Sequence, residues 1–226
     1  MIPLRDDQPS FSTPFINYFL IMLNVLAFLW ELSVGTHTRA LYAFAIIPDQ
    51  TVAVLTGRSY DSLASAFLPL FTSLFLHASW KHLLGNMLFL WIFGDNVEDY
   101  LGHFRYLLFY LASGLAAAVA HILLNSGSHV PTIGASGAIM GVMGAYFILY
   151  PRARVLTWFF VFVLYLPAWL VLGYYFLLNF LYGAFSQPGN SAGGIAFWAH
   201  IGGFVAGVLM IKVLSERPHR YRYGTW

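Results

Sequence analysis

Apolar residues run along this chain in long stretches separated by short polar ones, and the stretches have the length of membrane-crossing helices. A helix needs about 20 mostly apolar residues to cross the hydrocarbon core. The first stretch, Phe15–Val34, meets that length, with Asn17, Asn24 and Glu31 set inside it. Residues 35–62 mix Gly, Thr, Asp and Arg and read as a long loop. Residues 63–76 are apolar but number only 14 and contain Pro69, which suits an interfacial or re-entrant segment better than a span. Further spans are expected over 77–97, 104–124, 136–150, 155–181 and 194–214. The basic turn Pro151-Arg-Ala-Arg154 closes the fourth, and Pro167 breaks the long fifth. The pattern predicts an all-α membrane protein: a short tail over 1–14, a six-helix membrane domain over 15–214 and a polar tail over 215–226.

Composition supports lipid as the solvent. Charged residues make up 9% of the chain and hydrophobic ones 59%, with a mean hydropathy of +0.70. A soluble domain carries roughly a quarter charged residues. The net charge of +2 is too small and too scattered for a nucleic-acid partner. The absence of cysteine excludes disulfides, thiol nucleophiles and thiolate metal sites. Residues 1–14 hold Asp6 and Asp7 and no cleavage-type apolar core, so the first run is read as a retained span.

The basic residues orient the bundle. With the N-terminus cytoplasmic, eight of the 11 Lys and Arg residues fall inside: Arg5, Arg105, Arg152, Arg154, Lys212, Arg217, Arg220 and Arg222. Arg39, Arg58 and Lys81 fall outside. Both termini are therefore expected in the cytoplasm. No long internal repeat is visible, which disfavours an inverted-repeat transporter.

A polar group in lipid must find a partner, so the question is which ones converge. His82 and Asn86 are four residues apart and share a helix face in the outer part of the second span. Ser136 sits in Gly134-Ala-Ser-Gly137, where loop gives way to the fourth span. His200, in Ala199-His-Ile-Gly202, lies roughly 9 Å into the sixth span at 1.5 Å per residue. All four are expected at a similar depth below the outer surface. Small residues at four-residue spacing, Gly137 and Gly141 on one helix and Ala199, Gly203 and Gly207 on the other, let two backbones approach closely. That contact would bring the Ser136 hydroxyl to the His200 ring.

A serine hydroxyl needs a base to take its proton, and histidine can be that base near neutral pH. No carboxylate is expected at this depth, so a Ser136–His200 dyad is favoured over a triad. Oxyanion donors could come from the Ser136 N–H at a helix N-terminus and from the side chains of His82 and Asn86. Each residue also has an ordinary reading as helix glue. The sequence Gly134-Ala-Ser-Gly-Ala138 is not GxSxG, so a strand–turn–helix nucleophile elbow is not supported.

These residues resemble the rhomboid intramembrane serine proteases over nearly the whole chain. The matching segments are His77-xxxx-His82-xxx-Asn86, Gly94-xxx-Glu98-xxx-Gly102, Gly134-Ala-Ser136-Gly137 and Ala199-His200-Ile-Gly202-Gly203. The resemblance implies Ser136 as nucleophile, His200 as base, and His82 and Asn86 as oxyanion stabilisers. It further implies a six-helix rhomboid-like core, a partly embedded first loop over 35–76, and Pro167 on the helix that gates lateral access. Its substrates would be single-pass or other membrane proteins cut at small residues near the outer face of the bilayer. No metal, cofactor or nucleic acid is implied, and the expected location is a bacterial inner membrane. Two positions depart from the common pattern. Met140 stands where many members place a Tyr against the histidine ring, and Arg39 and Arg58 lack the preceding Trp of the usual first loop.

Two other classes compete. A non-cleaving relative that routes membrane clients would keep the fold, but such relatives typically lack the serine or the histidine, and this chain keeps both. A small transporter predicts ion-dependent flux; the missing repeat and the few membrane carboxylates argue against it.

Overall fold

A computed structural model describes residues 1–35, 42–185 and 196–214. Arg39, the first two residues of the expected sixth span and the tail 215–226 lie outside the described residues. In chain order the elements are β1 (Ile2–Asp6), α1 (Phe15–Val34), α2 (Pro48–Leu55), α3 (Leu63–Thr72) with a 3-10 turn (Ser73–Phe75), α4 (Trp80–Leu101), α5 (His103–Leu124), α6 (Ser136–Leu149), β2 (Arg154–Phe159), β3 (Phe162–Pro167), α7 (Ala168–Phe185) and α8 (Phe197–Leu214). The chain is mostly helical. Among the described residues, α1, α5, α7 and α8 are each long and apolar enough to cross a membrane, and α3 with its turn joins α4 at a 77° bend to make a fifth such unit. Helix α6 is apolar but has only 14 residues.

Two expectations need correction. Residues 155–181 are not one broken helix, and the chain is not all-α. Strands β2 and β3 form an antiparallel hairpin, and β1 pairs antiparallel with the other edge of β2, with Ile2 opposite Trp158 and Asp6 opposite Val155. The run from Val155 to Leu166 is dominated by Val, Phe, Trp, Thr and Tyr, β-branched and aromatic residues that favour strands while keeping the run apolar. Pro167 ends β3 directly before α7 and is not inside the helix. The expected tail 1–14 thus contributes a strand. The long connection 35–62 contains α2, opened by Pro48 at a position where a missing N–H costs nothing.

The N-terminal strand is fastened to the bundle by side chains. Asp7 accepts the Arg154 backbone N–H at 2.7 Å and its guanidinium Nε at 2.8 Å. Asp6 accepts the Tyr146 hydroxyl, and Tyr175 donates to the Met1 carbonyl. Burial raises the Asp6 pKa to about 6, overcoming the Tyr146 hydroxyl, which pulls the other way.

The polar residues of α1 are satisfied inside the bundle. Glu98 on α4 accepts the Ile16 and Asn17 N–H groups at 2.9 and 2.7 Å, capping first-turn donors that have no partner within the helix. Asn17 donates to the Leu90 carbonyl at 3.0 Å and accepts from the Tyr106 hydroxyl at 2.9 Å, so α1, α4 and α5 are pinned together.

Helix α6 is buried among α4, α5 and α8. Its crossing with α8 is a backbone contact. A Cβ placed on Gly203 would lie 2.0 Å from the Gly137 carbonyl oxygen, and one on Gly207 would lie 2.0 Å from that of Gly141. Only a hydrogen fits at either position. On the outside, Leu26, Leu123, Leu177 and Leu209 are exposed, as lipid-facing positions require.

Two outcomes are expected. Gly203→Ala forces the helices apart and costs about 1–3 kcal/mol or more, so the detergent-solubilised protein melts lower. Gly127→Ala meets nothing within 4 Å and leaves melting unchanged; equal melting of the two variants would contradict the close contact. Asp6 holds its proton more tightly folded than unfolded, so its contribution to stability is full at about pH 4 and is lost as pH rises through about 6. The melting temperature of the parent relative to Asp6→Asn should therefore fall between those pH values; a rise would refute the burial argument.

Candidate active site

The loop before α6 is anchored on both sides. Ile46 and Thr132 exchange backbone hydrogen bonds at 3.0 and 2.8 Å, and the Gly134 N–H donates to the Ser73 carbonyl at 2.8 Å. Gly134 adopts φ +131°, a region L-residues avoid, and a Cβ there would lie 2.8 Å from Cε1 and Nε2 of His82. The chain then enters α6 at Ser136. The Ser136 N–H therefore belongs to the first turn, where backbone donors lack helical acceptors and the dipole favours negative charge.

His200 stands in the first turn of α8, its N–H bonded to the Ala196 carbonyl at 3.1 Å. Because Gly137 and Gly141 abut Gly203 and Gly207, the first turns of α6 and α8 face each other. The Ser136 Oγ lies 2.7 Å from the His200 Nε2. The other ring nitrogen, Nδ1, lies 2.6 Å from Oδ1 of Asn179 on α7. Among the described residues, no carboxylate bonds either member of the pair.

His82 and Asn86 sit on α4, whose start is fixed by the Ser79 hydroxyl accepting the His82 N–H at 3.2 Å. The His82 ring faces Gly134, beside the Ser136 hydroxyl. Asn86 is oriented from behind. His77 Nδ1 lies 3.2 Å from the Phe75 carbonyl, which can only accept, so the ring proton is on Nδ1. His77 Nε2 is then the acceptor for Asn86 Nδ2 at 2.9 Å. The Glu31 carboxylate accepts the His77 backbone N–H at 2.9 Å, and the His77 and His82 rings meet edge-on with centroids 5.0 Å apart.

One cavity of about 660 Å³ is lined by Ser136, His200, His82 and Asn86 together. Met140 and Asn179 also line it. All four candidates converge, and Gly134, Gly137, Gly141, Gly203 and Gly207 lie at the contacts that bring them together. Sequence reasoning did not single out Asn179, nor the roles of His77 and Glu31. Asn179 carried the same signal as the others: an amide in an apolar helix. Among the described residues, no group of three or more His, Cys, Asp or Glu side chains is placed to hold a metal ion.

A family model described as Rhomboid domain matches residues 64–217. Rhomboid protease GluP of Bacillus subtilis is 34% identical over 143 residues, covering 62% of this chain and 25% of that protein. Rhomboid protein 1, mitochondrial, of Saccharomyces cerevisiae is 31% identical over 154 residues, 66% of this chain and 42% of the relative. RHOMBOID-like protein 1 of Arabidopsis thaliana is 32% identical over 155 residues, 69% and 36% of the two chains. The chain thus spans between a quarter and under half of the length of these relatives.

A side chain at Gly134 tests the site's tightness. Gly134→Ala strains the backbone by about 1–3 kcal/mol and pushes the His82 ring, so the detergent-solubilised protein should melt lower than the parent. An unchanged melting temperature would show that the loop has slack to give.

Proposed function

The chain belongs to the rhomboid family, and on that footing we propose that this integral membrane protein is a serine endopeptidase that cuts peptide bonds in or near the transmembrane segments of other membrane proteins. The observation that carries the reading is the 2.7 Å hydrogen bond between Ser136 Oγ and His200 Nε2 in a cavity large enough for water and a peptide. At roughly 30 Å³ per molecule, water fits there many times over.

In the proposed mechanism, Ser136 Oγ attacks the scissile carbonyl carbon as its proton passes to His200 Nε2. The oxyanion is met by the Ser136 N–H, His82 and Asn86. The C–N bond breaks as the imidazolium protonates the leaving amine. A water molecule then attacks the acyl-enzyme, gives its proton to His200, and the new carboxyl terminus departs while Ser136 Oγ recovers that proton. Asn86, held by His77, is a preset donor, as a site aimed at developing charge requires.

The six proposed spans are α1, α4, α5, α6, α7 and α8, within a membrane domain over 15–214 flanked by cytoplasmic tails at 1–14 and 215–226. The excess of Lys and Arg on that side supports the orientation. The short α6 supports a submerged site: 14 residues reach about 21 Å, less than the roughly 30 Å hydrocarbon core. Ser136, at its N-terminus, would then lie below the outer surface with the looped segment 125–135 above it. Substrates would arrive laterally from the bilayer. A bacterial cell membrane is the proposed location, on the likeness to the Bacillus subtilis relative.

The test uses the full chain in detergent and a single-pass reporter with small residues near its outer end. The parent should cleave it and be labelled by a fluorophosphonate. Ser136→Ala and His200→Ala should lose both, and His82→Ala or Asn86→Ala should lower kcat by about 10²- to 10³-fold. Cleavage that survives Ser136→Ala, or a parent that binds the reporter and neither labels nor cuts, would overturn the proposal.

A further inference from the structure

We propose that Asn179 is the positioning residue of this site: its carboxamide oxygen holds His200 in the one tautomer whose Nε2 can take the Ser136 proton. The inference rests on the reading of Ser136 and His200 as nucleophile and base.

The donors and acceptors that link α7 to Ser136 admit one arrangement. Asn179 sits in the middle of α7, and its Nδ2 lies 2.8 Å from the carbonyl oxygen of Tyr175, one turn earlier. A carbonyl oxygen can only accept, so the amide nitrogen must face Tyr175. The amide oxygen is then the atom turned toward His200, 2.6 Å from Nδ1. That oxygen is also only an acceptor, so Nδ1 must carry the ring proton. A neutral imidazole has one such proton, which leaves Nε2 with its lone pair, 2.7 Å from the Ser136 hydroxyl. The direction of every hydrogen bond, from the α7 backbone to the Ser136 hydroxyl, is set by the one Tyr175 carbonyl.

An amide suits this place better than a carboxylate. Asn179 is half-buried on an otherwise apolar helix. An ionised group there would have to be stripped of much of its hydration, whereas an amide offers a fixed dipole at lower cost. When His200 takes the serine proton, its Nδ1–H strengthens toward the Asn179 oxygen, so the same contact supports the imidazolium. The ring therefore has a holder on α7, although position 140 carries Met.

The test compares shape with chemistry at one position. Asn179→Leu keeps the volume and removes the acceptor. Asn179→Asp keeps the volume and an acceptor oxygen. Asn179→Ala is read in parallel, so that a folding defect in one variant does not decide the result. The readouts are the rate of fluorophosphonate labelling, kcat and KM on the reporter, and thermal melting of the full chain in detergent. Asn179→Leu and Asn179→Ala should label and turn over about tenfold or more slowly, with KM within about twofold of the parent, and Asn179→Asp, which restores an acceptor but not the N–H toward Tyr175, should recover part of the rate. A residue that merely packs would be harmed at least as much by the charged Asp as by Leu. A Leu variant that labels at the parent rate, or an Asp variant that falls as far as Leu, overturns the inference. A parent whose labelling does not depend on Ser136 removes the serine reading itself, and this inference with it.

Discussion

The contact between α6 and α8 is the constraint on which the rest of the molecule depends. Gly203 and Gly207 press against the carbonyl oxygens of Gly137 and Gly141, with room for a hydrogen and no more. In lipid there is no hydrophobic force between helices, and association comes from close packing and from polar groups that find each other. A backbone-to-backbone crossing supplies the packing. It also fixes the separation of the first turns of the two helices, and those turns carry Ser136 and His200. The 2.7 Å distance between them follows from main-chain geometry.

The second organising fact is that the polar groups around the site are arranged in relays. Glu31 holds the His77 backbone, the His77 ring turns Asn86, and the Tyr175 carbonyl turns Asn179, which in turn sets the His200 ring. A buried donor left without an acceptor is costly where water cannot compensate. Each relay ends at the cavity, so the groups that remain available face the place where a substrate and water would meet. Far from this end, Glu98 performs a similar service for the N-terminus of α1.

Much of this was legible in the sequence. The rule that a polar residue in an apolar run needs a partner picked out Ser136, His200, His82 and Asn86, and the cavity brings all four together. The spacing of Gly203 and Gly207 pointed to the helix crossing. Helix α1 begins and ends where its apolar run does, because Pro14 and Gly35 bound it. The β2–β3 hairpin was hidden for a physical reason: an apolar run of β-branched and aromatic residues is compatible with a membrane helix or a strand, and its partner β1 lies some 150 residues earlier in the chain. No local pattern encodes a pairing of that range. The relays were hidden in the same way. Glu31 and Asn179 are visible as oddities in their helices, but what each one touches is a property of the packed bundle.

Helix α7 is the least enclosed of the four long apolar helices, with 22% of its apolar window buried against 44% for α5. It is also the helix that carries the oxygen facing His200. A hydrogen bond of 2.6 Å does not survive a shift of even one helical residue's rise, about 1.5 Å. Any sideways yielding of α7 wide enough to admit a guest segment would therefore carry Asn179 away and leave the imidazole free to swap its proton between nitrogens. Access past α7 and a fixed His200 tautomer would then be opposed demands on a single helix.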